Sequence, residues 1–401
     1  GIAGGALLAV SGGFAVALAL LGSTVDTRWL LTVHVATAGP AAALLAVHAI
    51  LRARAASPRA LRAVAAGLAA ASLVALASAA WRGGRDDGER FVIANPALPP
   101  LVMADEAMGG EQGPFFPSSI HTSTKGRIPS DFFLGSEGCG RSGCHADITA
   151  QWRSSMHHFA SFNNQFYRKS IEYMQDVVGV QPSKWCAGCH DVALLLDGKF
   201  DRPVAENLAL PEAHAGLACV ACHSITHVEG SMGQGGYEIE YPPLHELSVS
   251  ESPLLRGAHD LFLRLDPEPH ARAFLKPFHR KQRAEFCSSC HKVHLDVPVN
   301  AYRWIRGFND YDNWQASGVS GQGARAFYYP DQSSDCVDCH MPLVKSDDHG
   351  QRNGYVHAHH FAAANTAVPT ANGDAEQLDR VRAFLKDRVT VDVFALVRGG
   401  A

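Results

Sequence analysis

The sequence has no cysteine to spare. All ten lie in five pairs, and every pair is followed at once by a histidine. There is no basic excess either: 35 lysines and arginines against 39 aspartates and glutamates leave a formal net charge of −4, which offers a nucleic acid no attractive field. The missing leftover thiol is the more restrictive absence. A disulfide framework gives no reason for a histidine behind each second cysteine. Zinc would need two pairs to converge on one ion, and five pairs leave an odd one out. A thioredoxin-like pair stands once, inside a βαβ unit, and not five times.

What is present is Cys139/Cys144 with His145, Cys186/Cys189 with His190, Cys219/Cys222 with His223, Cys287/Cys290 with His291, and Cys336/Cys339 with His340. Four of these have the C-x-x-C-H spacing of c-type haem attachment, in which two thiols add to the haem vinyl groups and the adjacent imidazole binds iron. The remaining one, "CGRSGCH", has four residues between its cysteines but keeps Cys and His adjacent. It reads as a longer-looped site of the same kind. The expectation is five haem c groups, held by the ten cysteines, with the five motif histidines as proximal iron ligands.

Attachment of this kind takes place outside the cytoplasm, so the chain must cross a membrane or be exported. Apolar runs at 4–22, 29–51 and 60–80 have the length of bilayer spans. A cleaved signal peptide would account for one of them, so three predict an integral anchor. Four arginines, Arg52, Arg54, Arg59 and Arg62, lie between the second and third runs, and one lies between the first and second. Arginine excess marks the cytoplasmic face, which puts the haem region on the periplasmic side of the inner membrane with lipid as a partner. His34 and His48 in the second run are about 21 Å apart along a helix. They read as hydrogen-bonded interface histidines near a helix kinked by Pro40; a pair of haem b groups is the alternative. The first residue is glycine, and we expect further sequence upstream.

The expected organisation is a three-helix anchor over 1–81, an extended Gly/Pro-rich linker over 82–137, a pentahaem domain over 138–373, and a helix with the start of a β segment over 374–401. Helical patterns lie at 146–178, 204–217, 253–265 and 375–388. The alternation in "VTVDVFAL", 389–396, predicts a strand, and hence a β domain that begins there. The fold class is mainly α with extensive loops, the haems replacing side chains as packed core.

Function turns on the sixth ligand of each iron, because a haem with two axial histidines passes electrons whereas one with an open position can reduce a substrate. Beyond the membrane region fourteen histidines remain besides the five proximal ones. His157, His227, His270, His294, His357 and His359 lie beside motifs or in short apolar contexts and are the distal candidates.

"SSMHHFASFNN", "CVACHSITH", "EFCSSCHKVHL", "GFNDYDNWQASGVSG", "CVDCHMPL" and "HAHHFAAANTA" resemble the multihaem cytochromes of the cytochrome c554-like group, over roughly residues 113 to 370. The resemblance implies a periplasmic or extracellular electron-transfer protein with bis-histidine haems packed closely, and it matches His157, His359 and His270 to distal ligands. It carries no catalytic signature. The membrane anchor is not part of that haem module. The reading is an anchored pentahaem cytochrome that moves electrons between a membrane oxidoreductase or quinone pool and a soluble or surface redox protein. The rivals are a nitrite, hydroxylamine or sulfur-oxyanion reductase with one open haem, and a subunit of a larger respiratory or photosynthetic complex.

Overall fold

Runs of alanine and leucine form helices because those side chains lose little rotamer freedom there. In the computed structural model, which describes residues 2–21, 27–83, 89–323 and 330–388, three such helices open the chain: α1 (Ile2–Leu21), α2 (Arg28–Ala56) and α3 (Pro58–Gly83). α1 packs along α2, with Gly4 so close to Leu44 that an added Cβ would lie 3.2 Å from the Leu44 Cβ. Among the described residues two helices, Ala3–Leu21 and Trp29–Ala56, have the length and composition to cross a membrane, not the three expected. The third expected span falls in α3, whose side chains from residue 75 lie outside the described residues. Only 17% and 11% of the two apolar windows are buried, so neither is the core helix of a globular domain. His34 Nδ1 lies 2.9 Å from the Ser11 carbonyl oxygen and 3.1 Å from Ser11 Oγ. That is an interhelical hydrogen bond of the sort a polar group in a dry helix pair requires.

The chain divides into two compact units. The first holds residues 1–92 and Pro242–Arg280; the second holds Ile93–Tyr241 and residues 281–401. The first therefore takes in an excursion that no sequence signal marked, and within it the helix Pro253–Leu265 covers the predicted span.

In the second unit, residues 93–137 are not an extended linker. Their aromatic and branched side chains, Phe115, Phe116, Ile120, Ile128, Phe132 and Phe133, are buried. The glycines and prolines that suggested a linker make the turns between these core positions instead. Leu194, Leu195, Phe200, Ile225, Tyr237 and Ile239 complete the buried set around them.

Three small sheets brace the loops. β1 (His121–Thr122) pairs in parallel with β3 (Tyr237–Ile239), which pairs antiparallel with β2 (Ile225–Val228). β4 (Lys292–Leu295) pairs with β5 (Ile305–Asn309), and β6 (Leu343–Lys345) with β7 (Tyr355–His357).

The helix expected over 146–178 is two helices, Ala146–Arg153 and Gln165–Val178. Between them the backbone is taken by tertiary bonds: Leu217 N–H donates to the His157 carbonyl at 2.7 Å and Asn163 Nδ2 to the His158 carbonyl at 2.8 Å. Asn164 then caps the second helix, accepting from the N–H groups of Phe166 and Tyr167. Residues 204–217 give only Val204–Asn207 and the 3₁₀ turn Pro211–His214, while Ala375–Leu385 forms behind an Asp374 cap. The strand predicted at 389–396 lies outside the described residues.

Candidate functional site

Four motifs sit on short helices: Val180–His190, Cys219–His223, Arg283–Ser288 leading into Cys290 and His291, and Cys336–His340. Helical spacing puts residues three apart on one face and the next residue beside them, which is the adjacency two thioethers and an axial imidazole need. The longer first motif reaches its geometry differently. Gly143 turns at φ +74°, a conformation open to glycine, and the His145 N–H reaches back to the Cys139 carbonyl at 2.9 Å. In the second motif Gly188 has no room for a side chain, since a Cβ would lie 2.1 Å from Ser118 Oγ.

The Nδ1 nitrogen of four motif imidazoles is already engaged. His145 Nδ1 meets Asp348 Oδ1 at 2.8 Å, His190 Nδ1 the Ala160 carbonyl at 2.8 Å, His291 Nδ1 Asp310 Oδ2 at 3.2 Å, and His340 Nδ1 the Ala362 carbonyl at 2.8 Å. A tethered Nδ1–H fixes tautomer and ring orientation and presents Nε2 to a metal. Burial acts to raise the Asp348 carboxyl, but hydrogen bonds from His145 and the Gly350 and Ile148 N–H groups hold it below its usual range. The His291 bond keeps Asp310 low in the same way and raises His291.

Two imidazole pairs stand out by their spacing. The His223 and His359 ring centroids are 6.3 Å apart, and those of His157 and His291 are 6.2 Å apart. An imidazole nitrogen bonds a metal at about 2 Å and lies about 1.1 Å from its ring centre, so two imidazoles on opposite sides of one iron have centres about 6.2 Å apart. His359 Nδ1 is tied to the His357 carbonyl at 2.8 Å, which leaves Nε2 as the nitrogen without that partner. Burial pushes His157 down to about 3, helped by the nearby His291, His359, His190 and His340, and burial pushes His359 down to about 4. Both rings are therefore neutral, which is the ligating form.

The motifs are also neighbours through their thiols: Cys139 lies beside Cys219, Cys189 beside Cys290, and Cys287 beside Cys336, each pair close enough for one thiol to shift the titration of the other. Arg283 clamps the fourth motif to the fifth, with Nε 2.6 Å from Asp335 and Nη2 2.8 Å from Asp338. Burial, with Asp191 beside it, pushes the Cys186 thiol up to about 12, and burial does the same for Cys222. These are protonated thiols, unlike the low-pKa thiolate of a disulfide oxidoreductase. Asp191, behind the proximal His190, is pushed up to about 7 by burial against hydrogen bonds from Ser161 and Tyr167.

The residues fit a haem. Cys186, Cys189 and His190 line one cleft whose other walls include Tyr167, Ile171, Trp185, Val293 and Phe308. Two thiols, one imidazole and flat apolar walls are what a covalently held porphyrin requires. Among the described residues no group of three or more His, Cys, Asp or Glu side chains could hold an ion alone. A haem iron takes four donors from its porphyrin and asks the protein for only two.

The other candidates are placed elsewhere. His227 Nε2 lies 3.7 Å from Glu229, and His294 Nε2 lies 3.0 Å from Glu106 with Trp304 stacked on its ring. In both, Nε2 faces a carboxylate. His357 is exposed, its Nδ1 on the Met341 carbonyl at 2.8 Å. His270 belongs to the first unit, against Phe274, whereas all five motifs are in the second. Sequence reasoning missed Asp348 and Asp310; the first had no signal, and the second stood in the quoted stretch "GFNDYDNW" unremarked.

Residues 139–224 match the family model described as cytochrome c554 and c-prime. The match covers the first three motifs and His157, and it supports a c-type cytochrome, with haem c as cofactor and electron transfer as its activity. No curated protein and no solved structure matches the chain.

Proposed function

We propose that the chain is a membrane-anchored pentahaem cytochrome c that relays electrons between a membrane oxidoreductase or quinone pool and a periplasmic or surface redox partner. The observation that carries this reading is the gathering of five Cys/Cys/His motifs in one compact unit, with His157 and His359 at axial-ligand spacing from His291 and His223. Bound haem supplies a one-electron iron couple. The ten cysteines would attach it, and His145, His190, His223, His291 and His340 would be the proximal ligands. His157 and His359 would close two of the irons to substrate. Asp348, Asp310 and the carbonyls of Ala160 and Ala362 hold the rings in orientation, and the apolar cleft walls exclude water.

α1 and α2 fix the relay to the inner membrane, with the haem unit on the periplasmic side, as the arginines at 52, 54, 59 and 62 favour. The test is carbon monoxide added to the reduced protein. A relay of six-coordinate haems leaves the Soret band unchanged, and binding by one fifth of the haem would instead reveal an open site and favour the reductase reading.

A further inference from the structure

One helix of the first unit is turned inside out. Pro253–Leu265 reads PLLRGAHDLFLRL. Leu254, Leu255, Leu261, Phe262 and Leu265 are exposed, Leu254 by 77% and Phe262 by 57%, while His259 is only 9% exposed. Positions 254, 258, 261 and 265, with 255 and 262 beside them, form one stripe of about 120° along the helix. Arg256, His259, Asp260 and Leu263 occupy the opposite, more enclosed face. Their polar groups are satisfied there: His259 Nδ1 lies 3.0 Å from Asp260, and Arg256 Nη1 donates to the carbonyls of Ser250 and Glu251 at 2.6 and 2.9 Å.

A helix facing water shows the reverse arrangement. An exposed apolar stripe of this kind marks contact with another apolar phase. The neighbour says which phase: the helix packs against α1, a candidate membrane span whose own apolar side chains point outward. At 13 residues the helix is about 20 Å long, too short for a hydrocarbon core of about 30 Å. It can lie along a bilayer but not cross it.

We propose that the helix Pro253–Leu265 lies in the membrane–water interface, with Leu254, Leu261, Phe262 and Leu265 in lipid and exposed Arg264 at the level of the headgroups. The excursion Pro242–Arg280 is thus a second membrane contact of the chain, far in sequence from the anchor. This rests on reading α1 and α2 as that anchor.

The test is thiol labelling of the full haem-loaded chain in phosphatidylcholine/phosphatidylglycerol nanodiscs with a water-soluble maleimide, wild-type labelling being subtracted. Phe262→Cys and Leu254→Cys should react at least tenfold more slowly than Glu268→Cys, whose parent side chain is 65% exposed in the same unit, and all three should react alike in sodium dodecyl sulfate. Equal rates in the nanodiscs would overturn the proposal. Val16→Cys in α1 separates the two readings. If it is protected while both helix positions react freely, the interfacial helix is wrong and the anchor stands; if it too reacts freely, both fall.

Discussion

The imidazoles of His223 and His359 are held with their centres 6.3 Å apart and their planes 27° from parallel, one on a haem-attachment helix and the other on the segment after β7. Removing one ring should therefore open one iron. His359→Ala should leave five haems attached, make one fifth of them high-spin by low-temperature EPR, and create carbon monoxide binding in the reduced state. His157→Ala should do the same at a different haem. Unchanged spectra in both variants would mean that these are not distal ligands.

Haem stoichiometry should be five per chain by pyridine haemochrome assay. Ser substitution of Cys139 and Cys144 together should reduce the count to four, showing that the "CGRSGCH" motif is occupied; a count of four in the unaltered protein would remove it from the set.

The Asp348 carboxylate meets His145 Nδ1 at 2.8 Å, which would raise the basicity of an iron-bound His145 and favour the oxidised state of that haem. In Asp348→Asn one haem should rise in potential, by about 40 mV for each kcal/mol lost. Spectroelectrochemical titration resolves it. A uniform shift of all five haems would point to a change of fold instead.

Lys199 bridges Asp197 and the buried Glu212 in the second unit. Burial acts to raise Glu212, but Lys199 and Ser130 hold it below its ordinary 4.5. A depressed carboxyl stabilises the fold above the unfolded value and loses that contribution as pH falls through the folded one. Glu212→Gln should cost about 1–3 kcal/mol at pH 7, and the gap to the parent protein in thermal denaturation should shrink as the pH falls below 4.5. A gap constant across that range would rule out the ion pair as its cause.

Topology can be read with reporters. A fusion after residue 56 should behave as cytoplasmic and one after residue 90 as periplasmic. Reversal of either would break the orientation argued from the arginines.

The Cys/Cys/His motifs were legible because covalent haem attachment would force two thiols and an imidazole into one short stretch of chain, a constraint local enough to read from sequence. The distal candidates were less legible. Nearness in sequence recommended His227 and His294, whose Nε2 atoms meet Glu229 and Glu106; His157 and His359 stand beside His291 and His223 from segments far along the chain, where only the fold decides. The same holds for Asp348, 203 residues from His145. In the fold, the helix Pro253–Leu265 was plain from its period, whereas the break at 154–163 was not, because there tertiary hydrogen bonds outcompete a good helical pattern. The buried aromatics of 115–133 were hidden by the prolines and glycines around them.

The thiol contacts between motifs carry a consequence for biogenesis. Cys139 beside Cys219, Cys189 beside Cys290 and Cys287 beside Cys336 would be harmless once each sulfur was a thioether, but before haem is attached they are three opportunities for the wrong bond. Cross-motif oxidation would consume six of the ten sulfurs and leave no motif intact. On the proposed function the haem unit matures in an oxidising compartment; there haem attachment would compete with disulfide capture, and reductant would have to be supplied on that side until the last haem is in place.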